Sequence, residues 1–450
     1  MRDLSTGPVG MQIFKFALPM LVGNVFQQMY NVVDTIIIGK FIGTQALAST
    51  GASFPIIFVL ISLVIGITTG SSILISHLFG AKELPKVKRA IDTTFIFLFF
   101  SSLLLTAFGL LFIDFIWVLI DLPEYLVANA TLYFNIYASG LVFVFGYNGV
   151  SAILRGLGDS KTPLYFIIVA SIVNIVLDLL FVLVFGWGIA GVAFATVIAQ
   201  AFAFGLSVWY LNKYHKLIRI SHKGMVFDKG LFMQSLRIGI PTGMQHTFVA
   251  LGMMALLRFV NGFGTATIAA YSIAGRIDSL AAIPAMNFSM ALSAFVGQNL
   301  GANKPERVKE GLRKTLMMSS AVSLAATLVV WLFGRQMMAV FTADAEVIEI
   351  GYQYLIIVGS FYILFSAMFA TNGLLRGTGD AIVPMIITLF SLWVLRVPAS
   401  YLLSGHIGAI GIWWSIPIAW FAGWLISYTY YKSGRWKSNG FSIKIQNGTF

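Results

Sequence analysis

The chain contains no cysteine, which excludes disulfides, thiolate catalysis and cysteine-ligated metal sites. Charge is nearly as scarce. Only 10% of the 450 residues are Asp, Glu, Lys or Arg, against about 25% in soluble domains. Acids are the rarer sign, 17 against 29 Lys and Arg, for a net charge of +12. Neither a Walker-type phosphate loop nor a His-Glu-x-x-His helix occurs in the sequence, so ATPase and metalloprotease chemistry are not indicated. What remains is apolar: 58% of residues are hydrophobic and the mean hydropathy is +0.88. Apolar runs of about 20 residues recur, each long enough to cross a ~30 Å hydrocarbon core as a helix. Barrel strands are about half as long and alternate. The composition therefore implies an all-α polytopic membrane protein. In a soluble protein a charge of +12 would suggest nucleic acid; here it reads as basic loops beside a lipid bilayer, with no nucleic-acid partner.

Twelve spans are expected, near residues 11–39, 46–77, 88–113, 124–150, 162–186, 188–214, 233–262, 266–299, 310–333, 346–373, 381–403 and 408–431. Pro19, Pro55, Pro241, Pro284 and Pro398 fall inside spans and predict kinks. Lysine and arginine set the orientation. Twenty-four of the 29 lie in the termini and in the loops on one face of this arrangement, including Lys216, Lys223 and Lys444. Both termini are therefore expected on the cytoplasmic side.

The chain repeats itself. "ILRGLGDSKTP" at 153–163 returns as "LLRGTGDAIVP" at 374–384. Arg155, Gly156, Gly158, Asp159 and Pro163 thus reappear, at one constant offset, as Arg376, Gly377, Gly379, Asp380 and Pro384. The same offset links Gly43 to Gly264, Gly80 to Gly301, Lys88 to Lys309 and Ser139 to Ser360. A constant shift over five regions marks an internal repeat. Each repeat holds six spans, an even number, so both enter the membrane the same way up. The expected fold is two six-helix lobes related by a pseudo-twofold axis along the membrane normal. Their bounds are 1–214 and 233–431, with a basic cytoplasmic linker at 215–232 and a cytoplasmic tail at 432–450.

Charges inside spans include Asp34, Asp178, Arg258, Arg276, Asp278 and Arg396. Each costs ~2.5–3.5 kcal/mol at the bilayer centre on insertion scales, so each is a functional candidate. Asp34 lies 9 residues before Gly43, Asp178 lies 8 before Gly186, and Thr196 lies 8 after Gly188. With a helical rise of about 1.5 Å per residue, all three share one depth. Asn174 precedes Asp178 by one turn, and Gln27 lies two turns before Asp34. Within spans one to six no base lies near the depth of the two acids; Lys15, Lys88, Arg89 and Lys213 fall close to span ends. Two such carboxylates do not both stay ionised cheaply, so the cluster is expected to take a proton near neutral pH or to hold Na+. In the second half, Asp278 has Arg258 and Arg396 as potential ion-pair partners. His246, beside Gln245, reads as a hydrogen-bonded core residue with a proton site as its rival.

The stretches "ALPMLVGNVFQQMYNVVDTIIIG", "NIVLD" and "FVGQNLGANKPERVKEG", with the two "LRGxGD" motifs, resemble the multidrug and toxic compound extrusion (MATE) family over about residues 10–430. That resemblance implies export of organic cations and amphipathic drugs against an H+ or Na+ gradient by alternating access, with no enzymatic activity and no bound cofactor. It implies a monomer in the bacterial inner membrane. The DinF-like branch places its coupling residues where Asn174, Asp178 and Thr196 stand, together with the first-helix aspartate, Asp34, which follows Pro19. The NorM-like branch uses acids in helices 7 and 10, and neither "IPTGMQHTFVALGMMALL" nor "YILFSAMFATNGLL" has one here. Three other readings are open: a lipid-linked oligosaccharide flippase of the wider superfamily, an intramembrane aspartyl protease using the Gly-x-Gly-Asp motifs, and a channel. The flippase calls for a strongly basic cavity, the protease for two membrane-embedded acids, the channel for a filter motif.

Overall fold

A computed structural model describes residues 2–215, 219 and 224–439. Lys216, Lys223 and Lys444, part of the linker at 215–232 and the end of the tail lie outside the described residues. The elements are helical: α1 (Val9–Ile37), α2 (Thr44–Gly80), α3 (Leu84–Leu119), α4 (Glu124–Ser139), α5 (Leu141–Gly156), α6 (Lys161–Leu179), α7 (Gly188–Tyr214), α8 (Lys229–Asn261), α9 (Thr265–Gly301), α10 (Pro305–Ala339), α11 (Ala345–Gly359), α12 (Tyr362–Gly377), α13 (Ile382–Leu389), α14 (Val397–Ile407), α15 (Ala409–Ser433) and α16 (Trp436–Asn439). Among the described residues three π-helical turns interrupt the series, Ile38–Ile42 after α1, Leu180–Val184 after α6 and Phe390–Arg396 between α13 and α14. Among the described residues ten helices are long and apolar enough to cross a membrane, or twelve if each of two bent pairs is one span.

Those bent pairs are α4–α5, at 49°, and α11–α12, at 48°. The sequence predicts unbroken spans there, and places its kinks at prolines. Pro19, Pro55, Pro241 and Pro284 lie inside uninterrupted helices, and Pro398 lies in the first turn of α14. The breaks have their own chemistry. Leaving the helix frees a backbone carbonyl, which needs a donor in a water-free setting. Thr106 Oγ1 donates to Ala138 O at 2.8 Å, and Thr327 Oγ1 donates to Gly359 O at 2.6 Å. The two threonines occupy equivalent positions of the repeat.

The turns repeat as faithfully. Gly43 and Gly264 have φ of 116° and 90°, Gly158 and Gly379 have 80° and 91°, and Lys82 and Asn303 have 60° and 57°. Positive φ favours glycine, which explains why the first two pairs are glycine in both copies. Helices meet through small residues and hydroxyls, as is common without a hydrophobic drive between them. Ser76 Oγ donates to Gly156 O at 3.2 Å, and Ser293 Oγ to Gly373 O at 2.6 Å. A Cβ on Gly156 would lie 2.8 Å from Ser72 O, and one on Gly377 would lie 2.7 Å from Ser293 O.

The chain packs as two compact units, Pro19–Gly243 with Arg2, and Asp3–Leu18 with Met244–Phe450. The sequence draws the division through the linker; in the structure it falls inside α1 at Pro19 and inside α8 after Gly243. Residues 3–18 belong with the second unit because they are tied there. Leu4 N donates to Gln298 Oε1 at 2.8 Å, Lys304 Nζ to Ser5 O at 2.9 Å and Arg307 Nη2 to Gly7 O at 3.0 Å.

Candidate functional site

The first unit brings Asp34 and Asp178 together where α1 meets α6, beside α7. α6 packs on α7. α1 lies against α6 at Gly23, where an added Cβ would sit 3.4 Å from Ile167 and 3.5 Å from Leu164. Further along α1, Tyr30 lines a cavity together with Asn174 and Ser171 of α6 and Thr196 and Gln200 of α7. One turn beyond Tyr30, the Asp34 carboxyl faces that of Asp178 within hydrogen-bonding range. Asp178 is fully buried and Asn174 nearly so.

The pair is short of donors. Two ionised carboxylates have no proton to share, and no protein donor reaches Asp34 Oδ1 or either oxygen of Asp178. The side-chain oxygen and nitrogen of Asn174 are likewise buried without a partner. Thr196 gives its hydroxyl proton to Val192 O at 3.1 Å, which leaves its oxygen lone pairs available. Buried polar groups are nearly always satisfied, so each exception calls for an explanation. The donor set here is two carboxylates, an amide oxygen and a hydroxyl. Such oxygens suit a proton shared between acids, or a hard cation. Gln27 is half-buried one turn before the level of Tyr30 and is not among the cavity-lining residues.

Two features of this site are not legible in the sequence order. Tyr133 and Tyr137 of α4 stack on each other with centroids 6.4 Å apart. Tyr133 and Tyr30 lie in the electrostatic field of both acids. Tyr30 carries a weak sequence signal, its i−4 position from Asp34; the α4 pair carries none. The π-helical turns are the second feature. One begins four residues after Asp34 and one two residues after Asp178. Such turns are frequent at functional sites because they loosen a helix locally.

The second unit treats its charges differently. Asp278 forms no ion pair with Arg258 or Arg396 within 4.0 Å among the described residues, contrary to the sequence expectation. Arg258 is exposed. Asp278 Oδ2 accepts from Tyr354 Oη at 3.5 Å, and Tyr362 and Arg396 are further neighbours. The phenols of α11 and α12, far away in sequence, occupy the place that the sequence reading assigns to an arginine. His246 makes no side-chain hydrogen bond among the described residues; its neighbour Gln245 donates to Thr388 Oγ1 at 2.6 Å.

The Gly-x-Gly-Asp motifs are helix caps. Asp159 Oδ1 accepts from Lys161 N and Thr162 N, both at 3.0 Å, and Oδ2 accepts from Thr162 Oγ1 at 2.7 Å. Asp380 Oδ2 accepts from Tyr430 Oη at 2.6 Å. Carboxylates committed to capping are poor candidates for a protease pair.

The MatE family model matches the chain twice, over residues 19–180 and 241–402. The protein is 31% identical over 437 residues to the probable multidrug resistance protein YpnP of Bacillus subtilis, covering 97% of this chain and 98% of that one. It is 32% identical over 443 residues to the probable multidrug resistance protein YoeA of the same organism, with 96% and 95% covered. Its fold matches an outward-facing multidrug resistance MATE transporter of the MOP superfamily with a TM-score of 0.91 at 23% identity, covering 97% of each chain. With both halves of the repeat matched separately and nearly the whole length shared with these relatives, the chain belongs to the MATE family of polytopic membrane transporters.

Proposed function

We propose that this transporter exports organic cations and amphipathic drugs by alternating access, coupled to inward movement of H+ or Na+, with the coupling ion taken by Asp34 and Asp178. The observation that carries the reading is the facing pair of carboxyls, Asp178 buried and Asp34 half-buried, with no counter-charge and no protein donor to Asp34 Oδ1 or to either oxygen of Asp178. Ionised, the pair attracts a cation in a medium where Coulomb forces are little screened. A proton or Na+ arriving from outside offsets that charge and weakens the hold on a cationic drug. Binding of one cation thus excludes the other, and each can bias a two-state protein only through such differential affinity. A membrane potential of ~100 mV adds ~2.3 kcal/mol per charge carried across.

The names of the Bacillus relatives, multidrug resistance proteins, support the drug as substrate. The acid pair in the first unit and the absence of acids from "IPTGMQHTFVALGMMALL" and "YILFSAMFATNGLL" favour the DinF-like over the NorM-like branch. The basic bias of one loop set favours cytoplasmic termini in a bacterial inner membrane. The protein then acts as a monomeric carrier, not an enzyme. The test is ethidium uptake into inside-out proteoliposomes driven by a pH gradient or a Na+ gradient alone. Uptake under one gradient that collapses in Asp34→Asn supports the reading; uptake equal in both proteins, or driven by neither gradient, overturns it.

A further inference from the structure

Arg376 ends α12 in the second unit with only 9% of its surface exposed. A guanidinium offers five N–H donors. The hydrogen bond it makes is from Nη2 to Ser289 Oγ, at 3.1 Å. Among the described residues no carboxylate comes within 4.0 Å of it. Asp380, four residues on, is engaged instead by Tyr430 Oη at 2.6 Å and Val383 N at 3.5 Å. A buried guanidinium without a counter-charge is costly to hold.

The surroundings add donors rather than acids. Asn372 is buried one turn before Arg376 on the same face. Its Oδ1 accepts from Ser427 Oγ at 2.8 Å, which leaves the amide NH2 as its remaining polar group. His246 of α8 lies in the electrostatic field of Arg376. The equivalent place in the first repeat is built otherwise. Val25 stands at the position that matches His246, and Arg155 has the Tyr147 phenol in its field. The arginine thus recurs with the fold, while the histidine and the amide beside it, replaced by Val25 and Ser151 in the first copy, do not.

From this geometry we infer that Arg376, Asn372 and His246 form a subsite for a small anionic group, a carboxylate or phosphate. Arg pairs such groups through its planar fork. The group belongs to a zwitterionic or anionic amphiphile in transit, or to a lipid headgroup. As an extension of the substrate range beyond cations, the inference rests on the transport reading; as a binding site, it stands alone.

The probe is inorganic phosphate. Thermal unfolding of the purified full chain in detergent is followed in potassium phosphate and in potassium chloride of equal ionic strength. A ligand bound to the native state raises the unfolding temperature. Phosphate should raise it by several degrees in the wild type and in Arg258→Gln, an exposed arginine of the same unit, and not in Arg376→Gln. No shift in the wild type, or an equal shift in Arg376→Gln, overturns the subsite. If Arg376→Gln does not fold, the His246→Gln/Asn372→Leu protein replaces it: about tenfold weaker phosphate binding supports the subsite, and unchanged binding overturns it. Displacement of labelled phosphate by glycerol phosphate assigns the site to a soluble anion, and displacement by micellar phosphatidylglycerol assigns it to a headgroup; either supports it. Ethidium export by the same wild-type preparation separates the two readings. Export without a phosphate effect removes the subsite alone, and a phosphate effect without export removes the transport reading alone.

Discussion

The two halves of this protein share a framework and differ in their charges. Turn glycines and the threonine-capped breaks recur at equivalent positions of the two copies with nearly the same geometry. The arginine and aspartate of the repeated motif recur, but the acids within the spans do not: Ala255 and Ala399 stand at the positions equivalent to Asp34 and Asp178. The first unit brings two acids face to face with no base. The second scatters one acid among phenols and buries an arginine among donors. Positions fixed by backbone geometry are the same in both copies, while positions that meet ions differ. A duplicated membrane scaffold can thus carry unlike chemistry in its two halves, and the place to look for function is where the repeat fails.

The largest expected effect tests that asymmetry. Asp34→Asn and Asp178→Asn should each cut gradient-driven ethidium transport at least a hundredfold at normal expression, because each removes half of the acid pair. Asp278→Asn should reduce it less than threefold, because Asn still accepts from Tyr354. Transport assays on the three purified proteins check this. Equal losses at Asp178 and Asp278 would erase the distinction between the halves.

The next tests concern what the halves share. Gly156→Val and Gly377→Val push side chains toward carbonyls that even a Cβ would approach to 2.8 and 2.7 Å. Overpacking of this kind costs about 1–3 kcal/mol, so both proteins should unfold at lower temperature by similar amounts. The smallest expected effect is at the breaks. Thr106→Val and Thr327→Val each leave a carbonyl without its donor, at a cost of about 1 kcal/mol. Paired melting curves should show matched losses, with ethidium transport reduced in proportion to yield only.

Much of the shared framework is legible in the sequence, because glycine at positive φ and small residues at close approach leave a residue-type signature. The acid cluster is legible for a different reason. Membrane depth follows from counting residues along a helix, so Asp34, Asp178 and Thr196 fall at one level whichever helices touch. Lateral neighbours are not encoded that way. Tyr133 and Tyr137 come from α4, and the phenols beside Asp278 from α11 and α12; no spacing rule links them to the acids. The expected ion pair of Asp278 fails for the same reason, since shared membership of spans does not set direction around the helix. The bends at 49° and 48° carry no proline signal; a threonine on a neighbouring helix makes them tolerable instead. The π-helical turns leave no residue signature at all.

The central claim is that Asp34 and Asp178 together hold the coupling cation in competition with a cationic drug. Ethidium binding to the purified protein, measured by fluorescence as pH is lowered and, separately, as Na+ is raised at constant ionic strength, tests it most directly. Protonation removes negative charge from the pair, so affinity should fall as pH falls, or fall as Na+ rises, by at least tenfold in the wild type. In the Asp34→Asn/Asp178→Asn protein the affinity should be weak and flat in both titrations. Competition that persists unchanged in the double variant, or a wild type indifferent to both cations, would contradict the account.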